Sequence, residues 1–191
     1  MTSRVLLVSP AMTASLRRAA FDDGDPLDAS GAARARAAAG SLPAADAVAV
    51  SPGVRCRETA EALGLTVDDA PPELAGLDAG RWRGRTLEEA GAAEPEAVGR
   101  WLADPTAATP GGESVADVCA RVARWLDALG PAGGRTVAVV EPEVVRAAAV
   151  HATAAPPSAF WRFDVPPLTR TELTGRAGRW NLRLGGPLIA G

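Results

Sequence analysis

The chain has 191 residues, enough for one buried core, and its 47% hydrophobic and 23% charged residues match a folded globular protein rather than a disordered one. Its 20 basic residues are all arginine and are interspersed along the sequence with 23 acidic ones, so the formal charge of −3 predicts no basic face and no nucleic-acid partner. Cys56 and Cys119 are far apart and have no Cys or His at ligand spacing, which excludes a disulfide framework and a zinc site; no metal and no cofactor is expected.

Residues 5–8 form a continuous apolar run ending at Ser9-Pro10, the pattern of a strand covered on both faces. The N-terminus enters this run directly, without a basic leader or a long apolar segment, so the expectation is a cytoplasmic protein with no membrane contact. An Ala-rich stretch over 28–42 predicts a helix. A second apolar run, 47–50, ends at Ser51-Pro52 and precedes a helix predicted over 54–63. Between Pro71 and Pro110 the chain is punctuated by Pro and Gly and holds Gly80-Arg81-Trp82-Arg83-Gly84 and a helix predicted over 87–102. Residues 70–112 therefore read as a lid-like insertion within a single domain spanning 1–191.

Next, Val115, Val118, Val122, Trp125, Leu126 and Leu129 recur on one helical face, with Ser114 as its cap. A third run, 136–140, ends at Glu141-Pro142 and leads into a helix over 143–152. The tail alternates at Phe160-Trp161-Arg162-Phe163 and at Asn181-Leu182-Arg183-Leu184, which predicts edge strands; such edges permit a homodimer. Repeated strand–helix order implies a mostly parallel central sheet in a three-layer α/β/α sandwich. Proline in the first turn of each following segment places helix N-termini at the carboxyl edge of the sheet, where open α/β sheets bind ligands.

Several motifs carry a resemblance. Ser51-Pro52-Gly53-Val54-Arg55-Cys56-Arg57-Glu58-Thr59-Ala60 resembles the S-P-x-x-R-A-x-Q-T-A segment of the histidine phosphatase superfamily, the phosphoglycerate mutase-like proteins. Gly80-Arg81-Trp82-Arg83-Gly84 is similar to G-x-W-E-G, Pro110-Gly111-Gly112-Glu113-Ser114 to P-G-G-E-S, and Val139-Val140-Glu141-Pro142-Glu143-Val144-Val145-Arg146 to V-V-S-H-G-x-x-I-R. The resemblance extends over nearly the whole chain and implies that fold. It also implies a pocket, position by position. Arg55 stands at a phosphate ligand, and Ser9 stands where the family has its first phosphate-binding arginine. Pro10 stands at the nucleophilic histidine and Pro142 at the second histidine. Gly76 stands at the glutamate that protonates the leaving group, with Glu73 as the alternative in a shifted register. Thr13 agrees with the loop threonine, and Trp82 falls beside the lid.

The chemistry this implies needs an imidazole to attack phosphorus, cationic groups to hold the equatorial oxygens and an acid to protonate the departing alkoxide. Proline supplies none of these, and general acid catalysis alone is worth roughly 10²–10⁴-fold. Glu141 and Glu143 add negative charge where a phosphate would sit; two like charges 4 Å apart at an effective dielectric near 20 oppose each other by about 4 kcal/mol. Weak or no inorganic phosphate binding is expected if both face the pocket.

Among the residues that remain, Arg55 offers either a bidentate grip on an anion or an ion pair with Glu141 or Glu143. Glu141 and Glu143 are either an acid/base pair or acids favoured by a helix N-terminus. Ser9, Thr13, Trp82 and Glu113 are the other candidate ligand-binding residues; His151, the single histidine, lies two turns along its helix, too far to act as nucleophile. The leading expectation is a degenerate member of this fold, without phosphatase or mutase activity, whose cleft binds a small molecule or a partner protein. The alternative is a repurposed enzyme of a specialised biosynthetic pathway, in which Arg55 anchors a substrate and Glu141 or Glu143 moves protons in a cyclisation, elimination or hydrolysis.

Overall fold

A computed structural model of the chain describes residues 1–130, 133–176, 178–183 and 185–188. Its five-stranded sheet has the order β2–β3–β1–β4–β5. The strands β1 (Ser3–Val8), β2 (Ala47–Val50) and β3 (Gly134–Val139) are parallel, and β4 (Arg170–Arg176) and β5 (Arg179–Arg183) complete the sheet antiparallel. The architecture is the expected α/β sandwich, with a mixed sheet. The first three strands are the three apolar runs. Each is covered on both faces over its carboxyl half, which is why the alternation usual for a half-exposed strand is absent there.

The helices are α1 (Ala14–Arg17), α2 (Ala29–Ala37), α3 (Val54–Ala62), α4 (Leu87–Ala93), α5 (Pro95–Ala103), α6 (Val115–Leu129) and α7 (Pro142–Thr153). On one face α6 and α7 bury Val5, Leu7, Leu173 and Trp180 together with Val118, Val122, Leu126 and Val145. On the other, α3 covers Leu6, Val8, Val50, Val137 and Val139 through Cys56, Ala60 and Leu63. Each fully buried Leu or Val contributes roughly 1.5–3 kcal/mol relative to exposure, so these two layers hold the strand ends in place.

Two elements differ in kind from the sequence reading. The single helix predicted over 87–102 is two, because Pro95 has no N–H to continue the ladder, and Glu94 before it takes φ −138° and ψ 62°. Phe160 to Phe163 is not a strand: Pro156-Pro157 starts a 3₁₀ turn over Pro157–Arg162 that puts Phe160 in the core and leaves Trp161 partly exposed. The predicted edge strand at 181–184 is seen as β5, with Leu184 outside the described residues. The cap at Ser114 is present as a full capping box with Asp117.

Six of the 20 arginines gather in space. Arg4, Arg135, Arg170, Arg176, Arg179 and Arg183 occupy alternate positions of paired strands and share one sheet face, contrary to the expectation of no basic face. Sequence interspersion missed this because period-two alternation gathers residues from distant segments.

Candidate functional site

A cleft of about 480 Å³ opens at the carboxyl ends of β1, β2 and β3, where the loop after α1 and the N-termini of α3 and α7 meet the segment bearing α5. Phe21, Leu77, Trp101 and Trp161 supply apolar wall, and Asp22, Arg55, Glu143 and Arg146 supply charge.

Its floor is a buried ion pair. The Arg55 side chain is 4% exposed and that of Glu141 2%, and Arg55 Nε donates to Glu141 Oε2 at 2.6 Å. This is the ion-pair alternative raised from the sequence, with Glu141 as the partner. Arg55 Nη1 lies 3.6 Å from Asp22 Oδ1, too long for a hydrogen bond, and has no hydrogen-bond partner. Glu141 Oε1 and the nearby Ser51 hydroxyl are likewise buried without partners. Glu141 precedes α7 as its N-cap but caps nothing; its side chain turns inward beneath α3. Gly53 lets it do so, since a Cβ there would come within 2.6 Å of Glu141 Oε1. Burial pushes Glu141 up to about 7; Arg55 pulls the other way, and Glu143 and Asp22 add to the rise. Cys56, in the same compartment, is fully buried, and desolvation raises its thiol well above the ordinary value, with Glu141 adding to that.

Glu143, one residue into α7 beyond Pro142, faces the cleft, with Oε1 3.8 Å from Arg146 Nη1. Arg146 is fixed in turn: its Nε donates to the Phe163 carbonyl at 2.9 Å, and its guanidinium lies 5.4 Å from the centre of the Trp161 ring, a cation–π contact. Trp161 packs on Trp101 at 4.9 Å between centroids, and Trp101 on Phe21 at 5.7 Å.

The remaining candidates lie behind the cleft or away from it. Ser9 is 1% exposed and turns toward β4, donating to the Pro166 carbonyl at 2.6 Å and accepting from the Thr169 N–H at 2.9 Å. Thr13 is fully buried and caps α1, accepting from the Leu16 N–H at 3.2 Å. Trp82 does not line the cleft: it is fully buried behind Phe21 and Trp101, with its indole N–H on Glu94 at 3.2 Å. Glu113 forms a two-bond pair with Arg121, at 2.8 and 2.9 Å, and Arg121 also donates to the carbonyls of Glu73 and Gly76, so this pair holds the wall that carries Gly76. Pro10 lies two residues after β1 and Pro142 starts α7, and His151 pairs with Asp127 at 2.9 Å, near the far end of α7. Of the sequence candidates, the structure thus brings Arg55 and Glu143 to the cleft and puts Glu141 under Arg55.

Phe21 and Asp22, which sequence reasoning missed, lie in an irregular loop where no periodicity marks them. Chemically, the arrangement can stack a ring against Trp161, which the buried Trp101 supports from behind. It can accept hydrogen bonds at Asp22 and Glu143, and donate them from Arg146.

Among proteins of known family, the model described as histidine phosphatase superfamily (branch 1) matches residues 15–186. A solved structure from an open reading frame of Mycobacterium tuberculosis is 28% identical, with a TM-score of 0.81 over 97% of both chains. The α-ribazole phosphatase of Shigella flexneri is 21% identical at a TM-score of 0.86 over 98% of both, and a mycobacterial glucosyl-3-phosphoglycerate phosphatase 22% identical at 0.83 over 98% and 100%. A bifunctional protein of Mycobacterium tuberculosis is 42% identical over 87 residues, which are 42% of this chain and 23% of that protein. The match thus spans less than a quarter of that relative's length. Among the described residues no helix is long and apolar enough to cross a membrane.

Proposed function

This chain belongs to the histidine phosphatase superfamily (branch 1), and from that premise we propose that it is a degenerate member that transfers no phosphoryl group and uses its cleft to bind a small molecule. The observation that carries this reading is the Arg55–Glu141 pair at 2.6 Å. The one pocket arginine that matches the family's phosphate ligand is already neutralised by a carboxylate of the chain itself. Asp22 and Glu143 stand beside it, so a phosphate dianion entering here meets repulsion rather than a cationic cradle. Pro10 and Pro142 offer no nucleophile and no donor side chain where the resemblance has imidazoles. The occupant that suits this cleft has an apolar ring for Trp161 and a hydrogen-bond donor or positive charge for Asp22 and Glu143.

The phosphatase names carried by the similar structures supply the test. Phosphomonoesters, α-ribazole 5′-phosphate among them, are expected to be hydrolysed no faster than in buffer, and no phosphorylated protein is expected on acid quench. Turnover above background that disappears in Glu143→Gln, or a trapped phosphoprotein, would refute the proposal. One feature favours the second reading, a repurposed acid/base enzyme: Glu143 faces a mostly apolar cleft beside Arg55. In that case Glu143 moves the proton, since Glu141 has no access to the cleft. Product formed from a bound ligand by wild type but not by Glu143→Gln separates the two.

A further inference from the structure

The basic sheet face forms a second site. Arg4 pairs with Arg135 across β1 and β3, and Glu172 with Arg183 and Arg176 with Arg179 across β4 and β5. Leu173, Trp180 and Leu182 pack under α6 and α7, so alternation sends these neighbouring positions to the opposite face. There α3 covers the β2 and β3 side, while Arg4, Arg170, Arg176, Arg179 and Arg183 remain exposed. A basin of about 300 Å³ lies among Arg4, Arg135, Arg170 and Arg183, walled by Pro43 and Gly185-Gly186. Gly185 permits that wall, because a Cβ there would run into the Arg170 carbonyl.

The basin is poorly neutralised. Among the described residues the guanidinium groups of Arg4, Arg135 and Arg170 have no carboxylate within 4.0 Å; Asp46 stands at the margin, accepting from the Arg135 backbone N–H at 2.7 Å, and Glu172 lies 3.6 Å from Arg183 Nη1. Arg135 spends one donor on the Ala44 carbonyl, at 3.0 Å.

We propose that this basin binds a small oligoanion, a molecule carrying two or more phosphate or carboxylate groups. Guanidinium forks recognise both groups bidentately, and four of them outnumber what a single anionic group can satisfy. The volume lies at the small-ligand end of the usual range of roughly 300–1,000 Å³. Compactness follows from the charge distribution. The whole chain is −3 even with six arginines and one glutamate gathered here, so the remaining surface is strongly acidic and repels a long polyanion that overruns the basin. The site shares no residue with the cleft and stands whether or not the cleft reading does.

Calorimetric titration of the full chain with tripolyphosphate, citrate and orthophosphate tests this. Tripolyphosphate or citrate is expected to bind one to one, at least about tenfold more tightly than orthophosphate, and the tighter of the two identifies phosphate or carboxylate as the natural group. Arg4→Ser/Arg170→Ser, with folding checked by circular dichroism, is expected to weaken that binding by about tenfold or more, whereas Arg146→Met in the cleft leaves it unchanged. Absence of binding by both oligoanions, equal affinity in Arg4→Ser/Arg170→Ser, or loss of binding in Arg146→Met would overturn the proposal. Tighter binding of a single-stranded DNA 20-mer than of either oligoanion would overturn it as well.

Discussion

Arg55→Leu is expected to destabilise the protein by about 3–5 kcal/mol at pH 8, the range for removing one partner of a buried ion pair, and urea denaturation reads this as a lower midpoint. The magnitude comes from what is left behind. Glu141 Oε2 loses its 2.6 Å donor, Oε1 already has none, and the carboxylate is almost wholly removed from water. At pH 5 the loss is expected to shrink, because Glu141, which burial pushes up to about 7 even with Arg55 beside it and which loss of Arg55 raises further, then carries a proton and leaves no bare charge. Arg55→Leu/Glu141→Leu is expected to recover most of the stability at pH 8, since an apolar pair of similar volume avoids the desolvation of both ions. A double variant no more stable than Arg55→Leu would show that the cost arises from lost packing rather than from a stranded carboxylate.

Wild-type stability is expected to decline as pH rises from about 4.5 to about 7, with Glu141 responsible for roughly 3 kcal/mol of the change. In the unfolded chain this carboxyl titrates near 4.5, and in the fold near 7, so the folded form holds the extra proton between those values. Below 4.5 both forms are protonated and the contribution is complete; it is lost as pH climbs through 7. Asp28 and Asp117 work in the opposite direction and at lower pH. The hydrogen bonds from Arg17 to Asp28 and from Ser114 to Asp117 hold those groups below 3.8, so what they contribute is lost as pH falls beneath that value. Glu141→Gln is expected to flatten the limb between 4.5 and 7 while leaving the acid limb intact. An unchanged slope in that variant would rule Glu141 out as the source.

What the sequence made legible was whatever is encoded by short-range pattern. The runs at 5–8, 47–50 and 136–140 became the parallel strands because continuous apolar residues admit few alternatives once both faces must be covered. Ser114 capped its helix because a hydroxyl before an amphipathic stretch has one economical use. The site was legible in part. Arg55 was found from its motif and Glu143 from the strand end, but the inward turn of Glu141 depends on the space left by Gly53, a three-dimensional fact. Trp82 illustrates the opposite error. A tryptophan beside a lid reads as a ligand contact, yet Phe21 and Trp101, from distant segments, shield it completely. The arginine face escaped for a related reason, since its register is set by pairing between strands that lie far apart in the chain.

Cys56 draws a consequence from the compartment it shares with Glu141. A sulfur held protonated and out of solvent cannot serve as a nucleophile, although it sits one residue from Arg55. The same seclusion ties oxidative damage to conformational opening. Peroxide or a disulfide donor reaches this atom only when α3 lifts from the sheet, so the rate of oxidation at this position is set by how rarely that layer detaches.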